Sequence, residues 1–220
     1  MRQKNKKSKP SVVGIVDSPA ALSAALKLRE GALDFLEWRA DCLPCDLRIP
    51  PSRFPWILTV RHSLEGGSGK LSATRRGEIF TSLLPAAGLV DIELRSFSPL
   101  VGVIDSARQR NIRVVASFHD FKMTPSSGRL RDLVTQAGDE GADIVKIATR
   151  TESPADVCRL LDLFQTSPLP LAVMGMGALG FGSRILLAQC GSVLNYGWLH
   201  RPNVSGQWPA LELKAILATT

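Results

Sequence analysis

Short apolar runs alternate along the chain with longer segments in which apolar residues recur every three or four positions. The short runs, such as SVVGIV at 11–16 and DIVKIAT at 143–149, have the length and the β-branched content of buried strands. The pattern predicts eight strands, at 11–16, 35–41, 56–61, 89–94, 112–120, 143–149, 171–177 and 192–198.

The longer segments between the strands carry helical periodicity and helix-boundary residues. Several begin after Ser or Ser-Pro, which cap helix N-termini, and several end at Gly or Asn. They predict helices at 18–31, 72–88, 99–111, 128–141, 153–167, 183–191 and 208–220. The segment 42–55, between the second and third strands, contains four prolines, so the helix there is expected to be missing or reduced to a turn.

The alternation of strands and helices predicts the fold class. Repeated βα units form parallel sheets, and eight of them in 220 residues fit a compact TIM barrel, whose usual size is about 250 residues. We therefore predict an α/β protein with a single (β/α)8 barrel over residues 11–220. Active sites of such barrels lie at the C-terminal ends of the strands, so ionisable residues there need an explanation.

Composition and charge add little to this prediction. The formal net charge is +7, and the first ten residues, which we expect to be a disordered basic tail, supply five positive charges. No aromatic platform or amphipathic helix accompanies the tail, so we expect neither a nucleic-acid nor a membrane partner. No apolar run approaches the roughly 18–20 residues of a membrane span, and the cytoplasm is the expected location.

Cys42 and Cys45 have the C-x-x-C spacing of a redox pair or half of a zinc site. A structural zinc needs two further ligands, and the other cysteines, Cys158 and Cys190, are isolated within predicted helices. A redox pair normally opens a helix, whereas this segment is broken by prolines. We therefore expect reduced thiols and no metal.

Lys146 lies in the middle of the predicted strand DIVKIAT. Alternation places it on the same face as Ile144 and Ala148, inside a sheet that should be buried on both faces. A buried, unpaired ammonium tends to lose its proton, and the free amine is a nucleophile that forms Schiff bases with carbonyl compounds. The alternative is a lysine that reaches the barrel mouth and pairs with a carboxylate there.

Other strands also carry ionisable residues at or just beyond their C-terminal ends. His119 ends the fifth strand and titrates near neutrality, which suits proton removal next to an imine. Mutually neutralising ion pairs are the alternative interpretation for any two of these residues. The complete ring comprises Glu37, Arg39, Arg61, Glu65, His119, Lys146 and Arg184.

Gly175, Gly177 and Gly180 have the spacing G-x-G-x-x-G of a dinucleotide-binding loop. That fingerprint belongs near the first strand and requires an acidic residue about 20 positions later, where this chain has NYGWLHRP. We therefore interpret the segment as an anion site on the seventh strand, with Arg184 and helix N-H groups as donors.

In these residues the chain resembles the type I 3-dehydroquinate dehydratases, the Schiff-base dehydratases of the shikimate pathway. The resemblance runs from about residue 11 to 217 and rests on seven segments in the family's order. These are EWRAD, TVRHSLEGG, VDIEL, SFHDF, DIVKIA, MGMGALGFGSR and SGQ.

The resemblance implies a syn elimination of water from 3-dehydroquinate to 3-dehydroshikimate, with no metal or other cofactor. Lys146 is similar to the lysine that forms an imine with the C3 ketone, His119 to the general acid/base, and Glu65 to the carboxylate that orients it. Further counterparts are Glu37, Arg39 and Arg61 for the ring hydroxyls, Arg184 for the substrate carboxylate, Gln207 for the lid, Asp91 and Glu93 for a supporting network, and Met174, Met176 and Tyr196 for the pocket wall.

Three features depart from the family pattern. Asn203 occupies the position of a lid serine and is counted with the substrate-binding residues, the N-terminal hairpin is absent, and the second helix is shortened. A class I aldolase, which also uses a lysine on the sixth strand of a barrel, is the alternative enzyme, and a non-catalytic binding protein is a third. We expect a homodimer.

Overall fold

A computed structural model describes residues 9–44 and 46–219 of the chain. The described residues form eight parallel strands, in agreement with the sequence pattern. They are β1 (Ser11–Val16), β2 (Phe35–Arg39), β3 (Trp56–Thr59), β4 (Leu89–Glu93), β5 (Arg113–Asp120), β6 (Ile144–Arg150), β7 (Leu171–Met176) and β8 (Leu194–Trp198). Most of the basic tail and Cys45 lie outside the described residues.

Seven α-helices of the described residues follow the strands on the outside of the sheet. They are α1 (Pro19–Leu26), α2 (Ala73–Leu83), α3 (Val101–Gln109), α4 (Ser127–Asp139), α5 (Pro154–Thr166), α6 (Gly180–Cys190) and α7 (Ala210–Ala218). Serine side chains cap α1, α2, α4 and α5, and Ser153 forms a capping box with Asp156 at the start of α5. Helices α3 and α6 lack the expected serine cap and begin after Leu100 and Leu179. Helix α6 begins three residues before its predicted start, at Gly180.

The strands close into a barrel. Neighbouring strands pair in the order β7-β6-β5-β4-β3-β2-β1-β8, so β7 and β8 lie at the two ends of the ladder. The N-H of Val193 donates to the carbonyl of Leu171 over 2.8 Å and joins these ends at the bottom. The (β/α)8 fold predicted from the sequence is therefore confirmed.

Between β2 and β3 the described residues contain no helix, as the prolines predicted. The buried side chains of Leu43, Ile49 and Phe54 cover the barrel there instead. Trp38 and Trp56 pack edge to face beneath them, with ring centroids 5.5 Å apart. Apolar loop residues thus replace the packing that a second helix would provide.

Both β2 and β3 end two residues earlier than predicted. The carboxylate of Asp41 accepts the backbone N-H of Arg61 over 3.1 Å. This N-H is therefore not available for strand pairing, and Arg61 lies beyond the end of β3. The same carboxylate accepts from the N-H of Ser68 over 2.9 Å. A buried acidic side chain therefore ends the strands and shapes the loop after β3.

The inward-facing side chains change character along the barrel axis. The residues at the N-terminal ends are apolar and form a closed floor of Val13, Ile57, Leu89, Val115, Ile144 and Leu194. The next inward positions on β2 to β6 include Glu37, Asp91 and Lys146, all buried. Ionisable groups are thus confined to the half of the barrel where the strands end.

Candidate active site

A cavity of about 280 Å³ opens at the C-terminal ends of the strands. It brings together the predicted ring and the predicted lid and wall residues, namely Glu37, Arg39, Arg61, Glu65, His119, Lys146, Met174, Met176, Arg184, Tyr196, Asn203 and Gln207. Asp91 and Glu93 do not line the cavity. They are fully buried beside it.

Lys146 is buried but has carboxylate partners. Its Nζ donates to Asp91 Oδ2 over 2.8 Å and to Glu37 Oε1 over 3.4 Å. The ammonium also lies 3.7 Å from the ring centroid of Tyr196, in cation–π geometry. The sequence suggested either a buried, unpaired amine or a lysine that reaches the barrel mouth and pairs with a carboxylate there. In the structure the lysine is paired with carboxylates and also stays inside the barrel, 4% exposed.

Arg61 links the acidic residues of β4. Its guanidinium donates to Asp91 over 2.9 Å, to Glu93 over 3.1 Å and to Ser117 Oγ over 2.6 Å. Burial alone would raise the pKa of Asp91, but the positive charges of Arg61 and Lys146 outweigh it and hold that pKa well below the usual range. The buried charges of Arg61, Lys146, Asp91 and Glu93 therefore form a network in which each cation contacts a carboxylate.

His119 and Glu65 form a second unit at the rim of the cavity. Glu65 Oε2 accepts the backbone N-H of His119 over 2.9 Å and lies 3.1 Å from its Nδ1. Burial, followed by the charges of Arg61 and Lys146, lowers the pKa of His119 well below its ordinary value. Burial and the neighbouring Glu93 raise the pKa of Glu65 to about 7. The imidazole is thus held neutral and oriented by a carboxyl group that titrates near neutrality.

Arg184 is buried without a carboxylate partner among the described residues. Its Nε and Nη1 donate to the carbonyls of Gly175 and Tyr196, each over 3.0 Å, and so bridge β7 and β8. Burial lowers the pKa of Arg184 to about 10. A buried guanidinium beside a cavity with no counter-charge from the fold is suited to bind an anion.

The glycine motif has a different use from the one predicted. The N-H groups of Gly177 and Gly180 donate to the carbonyls of Ser205 and Gly177, both over 3.0 Å. Gly180 also packs directly against the backbone of Gly206, where a Cβ would lie 2.7 Å from its Cα. These glycines serve close packing between two loops, so the predicted anion site rests on Arg184 and not on their N-H groups.

The loop after β8 covers the cavity. The Oε1 atom of Gln207 accepts the backbone N-H of Asn203 over 2.8 Å, and Asn203 Nδ2 donates to Asp17 after β1. Val204 lies between them and lines the cavity. The asparagine that departs from the family pattern thus ties the loop after β8 to the end of the neighbouring strand β1.

Arg39 is tied into the same rim by Asp41. Its Nε and Nη2 donate to the two carboxylate oxygens of Asp41 over 3.0 and 2.8 Å, and Nη2 reaches the carbonyl of Gly66 over 3.2 Å. Burial opposes the charge on Arg39, but Asp41 outweighs it and raises the pKa of the guanidinium. Burial raises the pKa of the adjacent Cys42 thiol to about 12, so this cysteine is not activated.

Sequence reasoning missed two arginines. Arg76 on α2 is 1% exposed and donates to Glu93 over 2.5 Å and to Val60 O over 2.8 Å. Arg76 lies four and seven residues before the buried Phe80 and Leu83, on the apolar face of the helix. This spacing could have indicated from the sequence that the arginine is buried. Arg95 follows directly after β4, where the strand-end rule would have selected it.

The described residues contain no group of three or more His, Cys, Asp or Glu side chains arranged to hold a metal ion. Nor does any helix in 9–44 and 46–219 have the length and apolar character needed to cross a bilayer.

The fold and the cavity define a (β/α)8-barrel enzyme with a buried lysine among acidic groups. The type I 3-dehydroquinase family model matches residues 13–220, and the chain belongs to this family. It is a hydro-lyase of the shikimate pathway that dehydrates 3-dehydroquinate, by the Schiff-base route general to the type I class. The aldolase alternative is thereby set aside.

Individual relatives agree with this membership. The chain is 34% identical over 206 residues to 3-dehydroquinate dehydratase of Latilactobacillus sakei, covering 87% of this chain and 85% of that protein. It is 31% identical to the Pyrococcus abyssi enzyme, with 94% and 96% covered. The crystal structure of the Geobacillus kaustophilus enzyme superposes with a TM-score of 0.86 at 27% identity and covers 96% of this chain and 91% of that one.

Proposed function

We propose that Lys146 forms the imine with the C3 ketone of 3-dehydroquinate. The observation that carries this assignment is the Nζ atom in the cavity, 2.8 Å from Asp91. Attack of the amine on the carbonyl and loss of water give a protonated imine, whose positive charge faces the same carboxylate. Asp91 and Glu37 therefore support the cation at the nitrogen throughout the cycle.

His119 is the proton-transfer group. The protonated imine withdraws electrons from C2, and the imidazole takes the C2 proton to give an enamine. The resulting imidazolium returns a proton to the C1 hydroxyl, which leaves as water, and hydrolysis of the remaining imine releases 3-dehydroshikimate and Lys146. Glu65, hydrogen-bonded at Nδ1, orients the ring and offsets its charge.

The remaining cavity residues bind the substrate. Arg184 pairs with the substrate carboxylate, since it is the buried cation that the described part of the fold leaves without a counter-charge. Glu37, Arg39 and Arg61 hold the ring hydroxyls, and Met176 and Tyr196 form the opposite wall. Asn203 and Gln207 position the loop that closes over the ligand.

The experiment that tests this proposal traps the imine. Borohydride added with 3-dehydroquinate should reduce the imine to a stable amine, giving a mass increase on the intact protein that peptide mapping places on Lys146. Lys146→Met should give no adduct, whereas Lys122→Met, on the exposed loop after β5, should trap as the wild type does. His119→Gln should lower kcat by about 10²–10⁴ yet still form the adduct. A folded wild-type protein without an adduct would refute the assignment.

The assembly and location expected from the sequence stay predictions. We propose a homodimer in the cytoplasm that acts on a small molecule, with the ten-residue basic tail outside the single barrel domain. Sedimentation of the full chain would test the dimer directly, since a monomer at micromolar concentration contradicts it.

A further inference from the structure

Glu65 is held from two sides, and only one of them belongs to the proposed catalytic pair. Its Oε2 atom faces His119, while its Oε1 accepts a hydrogen bond from Arg95 Nε over 2.9 Å. Glu65 ends the 3₁₀ helix Ser63–Glu65, and Arg95 lies in the 3₁₀ helix Leu94–Ser96 directly after β4. The carboxylate is 3% exposed, whereas the arginine side chain is 44% exposed at the rim of the barrel.

We propose that Arg95 is a positioning residue that keeps Glu65 ionised and thereby keeps Nε2 of His119 free to accept the substrate proton. This inference rests on the roles proposed above for His119 and Glu65. Arg95 acts through the carboxylate and does not line the cavity.

The tautomer of the imidazole links the three residues. An ionised Glu65 can only accept, so Nδ1 of His119 carries its hydrogen and Nε2 remains a base. Oε1 faces the donor of Arg95, and Oε2 faces both the backbone N-H of His119 and Nδ1, the one group at the carboxyl that can accept a proton. A proton on Glu65 therefore resides on Oε2 and donates to Nδ1. The hydrogen of the neutral ring then moves to Nε2, which can no longer accept the C2 proton.

The charges around Glu65 explain why one exposed arginine matters. Burial and Glu93 on β4 favour the protonated carboxyl group, whereas Arg61, the His119 N-H and Arg95 favour the ionised one, and the pKa that results is about 7. Arg61 already donates to Asp91 and Glu93. Arg95 is therefore the cation in direct contact with Glu65, and its loss raises the pKa of the carboxyl group further into the working range.

The test compares kcat over pH for two arginines of the barrel mouth. Arg95→Met should lower kcat about three- to fivefold near pH 6 and less than twofold near pH 8.5, with KM unchanged, because a higher pKa for Glu65 moves the acidic limb upward. Arg95→Lys should restore most of the loss. Arg150→Met is the matched control: it removes the same charge from a half-exposed side chain that pairs with Glu152 over 2.7 Å, and its profile should match the wild type.

A second arm separates positioning from structure. In a Glu65→Gln background, Arg95→Met should have no further effect on kcat or on its pH profile, because the group it acts on no longer titrates. An equal loss at every pH, an equal loss in Arg150→Met, or an undiminished effect in the Glu65→Gln background would each overturn the proposal. A kcat of His119→Gln close to the wild-type value would instead overturn the role of the histidine itself.

Discussion

The two sides of the cavity treat buried charge in opposite ways. On β2 to β6 the buried charges are paired with opposite charges of the protein itself. The guanidinium of Arg61, for example, contacts Asp91, Glu93 and Ser117 at once. On β7 and β8 the wall is apolar, and the one described cation next to it, Arg184 on α6, contacts only backbone carbonyls. The paired charges on β2 to β6 are preorganised before any ligand binds. Arg184, in contrast, gains a partner of opposite charge only when an anionic ligand binds.

Removing the central cation of the paired charges on β2 to β6 should have the largest effect. Arg61→Met leaves Asp91 and Glu93 buried without their main counter-charge, and breaking such a pair from one side costs about 3–5 kcal/mol. We expect the midpoint of thermal unfolding, Tm, to fall by about 10 °C, in the absence of substrate. Calorimetry or circular dichroism measures this directly.

Arg75→Met on the neighbouring α2 is the control for this first prediction. Arg75 pairs with Glu78 over 2.7 Å, but both side chains are more than half exposed, so its loss should change Tm little. Similar melting of Arg61→Met and the wild type would contradict the view that the fold depends on this charge set.

The fold could be predicted from the sequence almost completely because it depends on local pattern. Alternation placed Lys146 on the inner face, and prolines marked the missing second helix. The early ends of β2 and β3 could not be predicted, since they follow from the contact of Asp41 with the backbone of Arg61, 20 positions away.

The site was predicted as a set of residues but not as a set of contacts. The position of each ionisable residue at a strand end follows from the βα pattern. The pairing of Lys146 with Asp91 crosses from β6 to β4 and depends on the stagger of the barrel, which alternation does not determine. Arg76 was missed for a related reason: it reaches Glu93 from a helix outside the sheet.

Removing Arg184 should have a smaller effect on stability and a larger one on substrate binding. Arg184→Met deletes the proposed partner of the substrate carboxylate, and charge-assisted hydrogen bonds are worth about 1.5–3 kcal/mol. We expect kcat/KM to fall about 10–100-fold, chiefly through KM, with a smaller loss of Tm than in Arg61→Met. Steady-state kinetics and unfolding of the same preparations measure both.

Arg184→Lys sharpens this second prediction. It keeps the charge but not the planar guanidinium that reaches both the Gly175 and Tyr196 carbonyls, so KM should recover in part while Tm does not. A variant Arg184→Met with unchanged KM and lowered kcat would show that this cation acts in catalysis and not in binding.

The smallest effect is expected on the apolar wall, at Tyr196. Its hydroxyl is buried and has no hydrogen-bond partner among the described residues, while burial and the carboxylates of Asp91 and Glu37 raise its pKa well above the usual value. Because an unsatisfied buried polar group costs about 1–3 kcal/mol, Tyr196→Phe should stabilise the protein by about 1 kcal/mol and raise Tm by about 3 °C. Tyr196→Leu should destabilise it instead, because the ring beneath the Lys146 ammonium is lost.

Tyr196 is the only tyrosine of the chain, so its ionisation can be followed alone. An alkaline titration of the native protein by ultraviolet absorbance should show no tyrosinate until the barrel unfolds, because the ionised form would face two buried carboxylates. A loss of Tm in Tyr196→Phe would show instead that the hydroxyl has a partner in solution, such as a buried water. The wall of β7 and β8 would then contain a satisfied polar group and would no longer be purely apolar. The difference between the two sides of the cavity would then consist only in Arg184, the buried cation without a carboxylate partner among the described residues.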